Sequence, residues 1–280
     1  MTKPTSQTWL ITGASSGIGF ALARAAAARG DNVVAVARNV EALQDLAAEH
    51  GHRILAVAGD VRRQTDVEDA VSRAVRAFHR IDVVANNAGY GVFGAVEEVS
   101  DEHARGIFDT NVFGLLNVMR ATLPVLRAQG GGHLLQGSSY FGRVAHPGVG
   151  LLCATKYAVE GLTEALFGEL EPLGITVTLV EPGPTATPFG SNFVVAGNTL
   201  PAYDATVRAP VDDGGDAPAG DDPDRVATAI LEAVDADRPP RRLVTGSTAF
   251  QEVSDTLHAQ LAELAAWASM SKAVDMQPVG

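Results

Sequence analysis

The 280-residue sequence predicts an α/β fold, a single doubly wound parallel sheet of about seven strands with helices on both faces. Short apolar runs alternate with amphipathic stretches along the chain, which is the pattern of strand–helix–strand units. The runs are almost continuously apolar, as is typical of strands that are covered on both faces. With 46% hydrophobic residues, the chain can build one large core, so we expect one domain over residues 1–280.

The predicted strands are short runs in which almost every residue is apolar or β-branched. Six runs fit this pattern clearly, and they are Thr8–Thr12, Asn32–Ala37, Ile54–Gly59, Ile81–Asn86, His133–Gly137 and Thr176–Glu181. Arg242–Gly246 fits it more weakly and is predicted as the seventh strand. Parallel strands that are joined through helices make right-handed crossovers, so all seven are expected in one sheet.

The stretches between the strands carry the apolar spacing of helices. The first, Ile18–Gly30, ends on a glycine that suits the position just after a helix. Thr65–Phe78 opens on a threonine that is predicted to cap the helix N-terminus. Ala154–Leu170 is long enough for four turns. Apolar stripes also predict long helices at Glu102–Gln129 and Leu151–Leu173.

Two segments lie outside this alternation. Residues from about 190 to 225 include APVDDGGDAPAGDDPDR, which is rich in Pro, Gly and Asp and is predicted to be mobile. Because the segment follows the sixth strand on the side where such sheets bind ligands, we predict a lid beside a substrate pocket. A plain surface excursion is the alternative. A C-terminal helix is predicted at about 247–270.

Composition excludes several classes of function. The formal net charge is −12 and no basic run occurs, so binding to nucleic acid or to an anionic membrane is not expected. Cys153 is the single cysteine, which excludes a disulfide within the chain, and the scattered His and Asp residues predict no metal site. The first residues have no apolar signal core, so a soluble cytoplasmic protein is expected.

A glycine-rich turn directly follows the first strand and opens the first helix. Its sequence is TGASSGIG, and the residues expected to contact a ligand are Thr12, Gly13, Ser15, Ser16, Gly17, Ile18 and Gly19. The glycines permit a tight turn and a close approach of the backbone, and free N–H groups at the helix start then face a pyrophosphate. In this strand–turn–helix setting the motif predicts a dinucleotide site, with a purely structural turn as the alternative.

The end of the second strand predicts which dinucleotide binds. A site for NAD(H) needs a carboxylate there for the ribose 2′-hydroxyl, but the strand ends at Ala37 and Arg38. The planar guanidinium of Arg38 suits a 2′-phosphate, which favours NADP(H); a solvated surface arginine is the alternative. After the third strand, Asp60 and Val61 are expected to hold the adenine ring, unless Asp60 is only a helix cap.

Six motifs stand in the order and at the separations of a known family. They are TGASSGIG (Thr12–Gly19), NNAG (Asn86–Gly89), DTNVFG (Asp109–Gly114), GSS (Gly137–Ser139), ATK (Ala154–Lys156) and EPG (Glu181–Gly183). On these motifs the chain resembles the short-chain dehydrogenases/reductases from its first strand to its C-terminal helix. The resemblance implies a Rossmann-type fold, NAD(P) as cofactor and hydride transfer between a carbonyl and an alcohol.

The resemblance also implies roles for single residues. Cofactor contacts are implied for Asn87, Ala88 and Gly89 at the ribose, for Pro182, Gly183 and Thr187 at the nicotinamide amide, and for Lys156. Ser139 matches the serine that orients the carbonyl, Lys156 the lysine that assists catalysis, and Asn111 the asparagine that holds a water. The family's proton-donating tyrosine stands four residues before the lysine, and here that residue is Leu152.

A leucine cannot donate or accept a proton, so another donor is needed for ordinary ketone reduction. Tyr140 and His146 follow Ser139 and are candidates, as is Tyr90 after the NNAG motif. Tyr157 is a weaker candidate because it is expected to pack inward. The water held by Asn111 and the lysine itself offer a further route to the substrate.

Three interpretations therefore stand side by side. The first is an NADP(H)-dependent oxidoreductase with a relocated or water-borne proton donor. The second is a non-redox enzyme on the same scaffold, such as a cyclase, isomerase or dehydratase. The third is a protein without turnover, either a natural pseudoenzyme or a variant whose tyrosine has been replaced.

The pocket is expected to be hydrophobic. Apolar side chains that the loops and the helix predicted over Leu151–Leu173 bring to the ligand side are Phe93, Phe141, Phe189, Phe193, Leu151 and Leu152. They predict a hydrophobic small-molecule substrate, although capping of the core is the alternative for most of them. Trp267 either closes the pocket or packs on the sheet edge. By resemblance, the long helices pair between subunits in a homodimer or homotetramer.

Overall fold

The computed structural model describes residues 6–209 and 220–275. Seven parallel strands form one sheet in the order β3-β2-β1-β4-β6-β7-β9. Their bounds are β1 Thr8–Thr12, β2 Asn32–Ala37, β3 Ile54–Ala58, β4 Val83–Asn86, β6 Gly132–Gly137, β7 Ile175–Pro182 and β9 Arg242–Thr245. The predicted parallel sheet of seven strands is confirmed, and its strands lie where the apolar runs placed them.

The strand order reverses beside β1, which pairs with β2 on one side and with β4 on the other. The connection after β1 crosses toward one edge of the sheet, and the connection after β4 crosses toward the other. A crevice therefore opens between them, beyond the carboxyl ends of these two strands. The site motifs predicted from the sequence lie at the carboxyl ends of strands or on the loops and helices that follow them. The sheet topology therefore decides where the candidate site lies.

Helices cover both faces of the sheet. Their bounds are α1 Gly17–Ala28, α2 Gln44–His50, α3 Gln64–Phe78, α4 Asp101–Phe108, α5 Leu115–Gln129, α6 Gly150–Leu170, α7 Pro223–Asp235, α8 Ser247–Ala266 and α9 Ala268–Lys272. Buried apolar residues of α3, α5 and α6 share one core cluster with the sheet, and those of α1, α2 and α7 share the other. The helices that carry the nucleotide motif and the lysine motif thus lie on opposite faces.

Helix boundaries differ from the prediction at the start of α3 and between α4 and α5. The predicted cap at Thr65 is wrong, because α3 begins at Gln64 and its capping position is Arg63 in extended conformation. The helix predicted over Glu102–Gln129 is interrupted by a π-helical segment, Asp109–Gly114, that joins α4 to α5. Gly30, with a φ of 100°, follows α1 as predicted.

A small second sheet was not predicted. β5 (Val92–Phe93) pairs in parallel with β8 (Val194–Val195), which belongs to the segment predicted as a lid. A buried carboxylate holds this segment further along: Glu98 accepts hydrogen bonds from the Leu200 backbone at 2.6 Å and from Arg208 at 2.9 Å. Mobility of the lid stays a prediction, and its residues 210–219 lie outside the described residues.

The C-terminal region contains α8, which ends at Ala266, and the short α9 follows it. Only its first turns pack on the body, through Ala249 and Val253. Several of its large apolar side chains are exposed, namely Phe250, Leu257, Leu261, Leu264, Trp267 and Met270. Within the described residues, no helix is both long enough and apolar enough to cross a membrane.

Candidate active site

A cavity of about 990 Å³ opens along the carboxyl ends of the strands. Its walls include most of the residues predicted to bind a cofactor, namely Gly13, Ser15, Ser16, Gly17, Ile18, Arg38, Asp60, Val61, Asn87, Ala88, Gly89, Lys156, Pro182, Gly183 and Thr187. Ser139 and Leu152 line the same cavity. One continuous surface therefore joins the glycine turn to the lysine motif.

The glycine turn has no room for side chains. Gly13 has a φ of 65°, and a Cβ placed on it would lie 2.9 Å from the Ala88 Cα. A Cβ on Gly19 would lie 2.4 Å from the Asn87 Nδ2 atom. The first turn of α1 holds no acidic residue, so the positive end of the helix dipole meets the cavity without a competing charge. This cradle fits a pyrophosphate group.

Two of the predicted cofactor residues do not line the cavity but support its wall. The Thr12 hydroxyl accepts hydrogen bonds from the backbone N–H groups of Asn87 and Ala88, each at 3.1 Å. Gly19 lets Asn87 approach closely enough to donate to the Thr12 carbonyl at 3.1 Å. Thr12 and Gly19 therefore fix the turn after β4 against the turn after β1.

The far end of the cavity is basic. Arg38 and Arg62 both line it, and Arg62 pairs with Asp60 at 2.6 Å. The Arg62 side chain lowers the pKa of the Asp60 carboxyl, and Arg38 adds to this effect. Asp60 does not cap α3. Sequence reasoning missed Arg62, although its position directly after Asp60–Val61 was a usable signal.

Ser139, Leu152 and Lys156 meet at the opposite end. The Ser139 hydroxyl donates to the Pro182 carbonyl at 3.3 Å and accepts from the Phe141 N–H at 3.2 Å. Lys156 is buried and donates to the Gly137 carbonyl at 2.7 Å. Leu152 lies one turn earlier on the same face of α6 and is 1% exposed. No side-chain oxygen stands at that position.

Burial shifts the charge balance of the lysine. Desolvation lowers the pKa of the Lys156 ammonium to about 8, while the nearby carboxylate of Glu160 opposes the shift. The amine is consequently a much stronger acid than an ordinary lysine and exchanges its proton close to neutral pH.

Asn111 stands behind this group, within the π-helical segment. Its side chain accepts from the Tyr90 N–H at 3.1 Å and donates to the Tyr90 carbonyl at 3.0 Å. It also donates to the Thr155 hydroxyl at 3.1 Å. Asn111 does not line the cavity in this structure; it fixes the backbone of Tyr90, which does.

The four candidate proton donors separate clearly. Tyr140 and Tyr90 line the cavity, and burial raises the pKa of both phenols, most strongly for Tyr140. His146 lies outside the cavity wall, where its ring nitrogen pairs with Glu252 at 2.8 Å. Tyr157 is 43% exposed and donates to the Arg143 carbonyl, so the expectation that it packs inward is wrong.

Aromatic side chains line the part of the cavity where the substrate was predicted to bind. Phe141 stacks on Tyr140 with ring centroids 4.2 Å apart, and Phe189 meets Phe193 edge-on at 5.5 Å. Phe193 packs directly on Gly91, where a Cβ would lie 2.4 Å from its ring. Of the remaining predicted pocket residues, Phe93 and Leu151 belong to the apolar cluster behind the wall, and Trp267 is exposed to solvent.

Metal ligation finds no support in residues 6–209 and 220–275, where no three His, Cys, Asp or Glu side chains are grouped for an ion.

Comparison with known proteins agrees with this geometry. The family model for short chain dehydrogenases matches residues 7–195. Oxidoreductase BOA17 of Botryotinia fuckeliana is 34% identical over 268 residues, which cover 95% of this chain and 98% of that protein. A short-chain dehydrogenase from Streptomyces avermitilis superposes with a TM-score of 0.88 at 36% identity, covering 97% of this chain and all of that one.

A further solved structure carries a nucleotide. A short chain dehydrogenase from Burkholderia cenocepacia, solved in complex with NADP, has a TM-score of 0.74 and 30% identity. The match covers 93% of this chain and 96% of that chain.

Proposed function

Since the chain belongs to the short-chain dehydrogenase family, we propose that it is an NADP(H)-dependent oxidoreductase with an atypical active site. Its substrate in this proposal is a hydrophobic carbonyl compound or alcohol. The observation that carries the proposal is the single cavity that joins the glycine turn and Arg38 to Ser139 and Lys156. Leu152, where the family has its tyrosine, makes the site atypical.

The cavity wall offers a partner for each part of the nucleotide. The glycine turn and the start of α1 suit the pyrophosphate, and Arg38 suits the 2′-phosphate because no carboxylate follows β2. Asp60 and Val61 then flank the adenine, and Lys156 holds ribose hydroxyls. When bound, the nicotinamide supplies or accepts the hydride.

The protein's own residues must manage the proton without a tyrosine. Ser139 orients the substrate oxygen from the cavity wall that it shares with Leu152 and Lys156. Lys156, with its pKa lowered to about 8, delivers the proton directly or through a water. Tyr140 is the weaker candidate, because burial raises the pKa of its phenol and makes it a poorer acid.

A second candidate function is a non-redox reaction, such as a cyclisation, isomerisation or dehydration. It is favoured by Leu152, which gives the reaction centre an apolar wall that would hold a substrate by shape. The two candidates differ in one observable. An oxidoreductase changes the absorbance of NADPH in step with product, whereas the non-redox enzyme forms product with the nucleotide unchanged, and a pseudoenzyme forms none.

A binding titration with NADPH and NADH tests the proposal. Arg38→Ala is expected to weaken NADPH binding by roughly tenfold or more, since a charge-assisted hydrogen bond contributes about 1.5–3 kcal/mol. Binding of NADH should change little. Arg24→Ala is the matched control, because Arg24 lies exposed on α1 and pairs with Asp224. If Arg38→Ala bound NADPH as tightly as the wild type, the proposed preference for NADP(H) would be refuted. If the wild type bound neither nucleotide, hydride transfer would be refuted.

The proposed partners are a hydrophobic small molecule and further copies of the chain. The aromatic side chains of Tyr140, Phe141 and Phe193 support the first. Exposed apolar side chains on the long helices, such as Phe113 beside α5 and Leu261 on α8, support assembly into a homodimer or homotetramer.

A further inference from the structure

A group of buried charges lies beneath the active-site turn, on the face of the sheet that α6 covers. Its centre is formed by two carboxyl groups, Glu160 of α6 and Glu181 near the end of β7. Two arginines enclose them, Arg143 from the loop after β6 and Arg242 from β9. None of these four side chains has a part in the proposed function.

Glu181 is the most enclosed member. Its side chain is fully buried, and neither carboxylate oxygen has a hydrogen-bond partner among the residues that the structure describes. The nearest cation is the Arg242 Nε atom, 3.3 Å from Glu181 Oε1, without hydrogen-bond geometry. An ionised carboxylate so placed has lost its hydration and gained no donor, which is costly.

Glu160 faces the same arginine. Its Oε2 atom lies 3.4 Å from an Arg242 nitrogen and 3.9 Å from Arg143, and its Oε1 atom has no hydrogen-bond partner among the described residues. Arg242 also pairs with the exposed Glu164. Three carboxyl groups thus share two guanidinium groups, so full ionisation leaves one negative charge that the arginines do not balance.

This group touches the cavity at two points. Glu160 lies one helical turn after Lys156 on α6, so the two side chains share a face. Ser138 lines the cavity beside Ser139, and its hydroxyl interacts with the Glu160 carboxyl. Gly142 closes the space between them, since a Cβ there would lie 2.6 Å from Ser138 Oγ and 3.1 Å from Glu160 Oε1.

We propose that Glu160 and Glu181 hold one proton between them beneath the Ser138–Ser139 turn, and that this shared proton sets the charge state of Lys156. When the proton sits on Glu181, Glu160 is ionised and favours the ammonium form of Lys156. When it moves to Glu160, the lysine loses that support and releases its own proton more readily. Glu160 and Glu181 are positioning residues in this proposal, since they act through Lys156.

The electrostatics of each group agree with the geometry. Burial raises the pKa of the Glu160 carboxyl, and Arg242, Arg143 and Ser138 oppose the shift. Burial, and then the charge of Glu160, raise the pKa of Glu181 to about 7. Glu181 thus titrates within about one pH unit of Lys156, and the charge of Glu160 is coupled to that titration.

The test is a titration of Lys156 by NMR, in nucleotide-free protein with isotope-labelled lysine side chains. The chain has three lysines, Lys3, Lys156 and Lys272, so the Lys156 signal is assigned from its loss in Lys156→Arg. Glu160→Gln removes the supporting charge and is expected to lower the pKa of Lys156 by about one pH unit. Glu181→Gln removes the second site for the shared proton, so Glu160 stays ionised and the pKa of Lys156 is expected to rise.

Opposite shifts in the two variants are the signature of the shared proton. Glu169→Gln, an exposed change on the same helix, serves as the control and should leave the Lys156 titration unchanged. Infrared difference spectra should show a protonated carboxyl band that titrates near neutral pH in the wild type and is lost in Glu181→Gln. Shifts of Lys156 in the same direction in both variants, or no such band, would overturn the proposal.

This inference rests on the proposed function only for the use made of Lys156. Since the titration needs no nucleotide or substrate, its result stands even where nucleotide binding fails. If NADPH does not bind but the two variants shift the pKa of Lys156 in opposite directions, only the proposed function is overturned.

Discussion

Leu152 and Lys156 occupy consecutive turns of one helix face, and one of them can exchange a proton while the other cannot. Leu152 is fully buried against Val92, Ile107 and Val149, so its side chain is part of a packed apolar cluster as well as of the cavity wall. Any group placed at position 152 must therefore fit this cluster. In the proposed function, the lack of an acid at this position leaves delivery of the proton to Lys156.

In the proposed function, a tyrosine at position 152 would supply the acid that this site lacks. We expect Leu152→Tyr to raise the rate of NADPH-dependent carbonyl reduction by about 10²–10⁴-fold, the usual contribution of a positioned general acid. Steady-state rates with a panel of hydrophobic ketones measure the effect. Leu152→Phe is the matched control, because it adds the ring without the hydroxyl. A Phe variant as fast as the Tyr variant would show that ring packing, and not proton donation, limits the rate.

At this scale the sequence predicted residues whose signals are local. Arg38, Ser139 and Lys156 stand at fixed distances from strand ends or from one another, and the structure brings all three to one cavity. Glu181 gave no such signal, since its unpaired state depends on Arg242, which reaches it from another strand. Helical spacing placed Tyr157 relative to Lys156 but could not tell which face met solvent.

Among the elements, the segment from β8 to Arg208 has the clearest dependence on one side chain. Glu98 is enclosed by the backbone N–H groups of Ala95 and Leu200 and by Arg208. These contacts join the loop before α4 to the segment predicted as a lid. Residues 194–208 of that segment are thus held at two places, by the β5–β8 pair and by this ion pair.

Removing the arginine should release the segment. Arg208→Met keeps most of the side-chain volume but leaves Glu98 without a charge partner, so we expect hydrogen exchange over residues 194–208 to accelerate on the order of tenfold. Asp204→Asn is the control, because it removes only the exposed partner of Arg208. Unchanged exchange in Arg208→Met would mean that the backbone contacts of Glu98 are sufficient.

Elements whose own residues show a regular apolar pattern could be predicted from the sequence. Elements that exist only through contact with a distant segment could not. The seven long strands are apolar throughout because helices bury both faces, and this shows in the sequence. β5 and β8 are two residues each and exist through pairing across about a hundred residues. The π-helical segment Asp109–Gly114 likewise follows from the packing of its flanking helices, which a helical pattern does not encode.

For the whole molecule, the buried carboxyl of Glu181 predicts how stability depends on pH. Its pKa lies near 7 in the folded protein and near 4.5 in an unfolded chain. Between these values the folded protein retains a proton that the unfolded chain has released, so the free energy of unfolding falls as pH rises. We expect wild type to lose up to about 3 kcal/mol relative to Glu181→Gln from pH 4.5 to 7.

Denaturant titrations of both proteins at several pH values measure this difference, in which the other titrating groups largely cancel. Glu169→Gln, on the exposed face of α6, should instead follow wild type at each pH. A difference that stays constant with pH would show that Glu181 is ionised throughout.

Leu257, Leu261 and Leu264 form an exposed apolar stripe on α8. This stripe predicts that copies of the chain assemble through the helix. Leu261 and Leu264 are each 65% exposed, and an isolated helix of this length gains little stability without packing. We expect the double variant Leu261→Glu, Leu264→Glu to shift sedimentation toward a smaller species. Ala259→Glu adds charge on the opposite, exposed side of the same helix and is the control. Identical sedimentation of all three proteins would exclude this helix from the interface.

The shape of the cavity depends in part on the contact between Gly91 and Phe193. Gly91 adopts no left-handed backbone, so its replacement by alanine meets no conformational barrier; the added methyl group instead meets the Phe193 ring at 2.4 Å. The ring must turn away, which changes the shape of the cavity that Phe193 lines. In the proposed function, we expect one added carbon atom at a position behind the wall to alter the substrate range while Ser139 and Lys156 stay in place. Position 91 is therefore the first site to randomise in a search for variants with a changed substrate range.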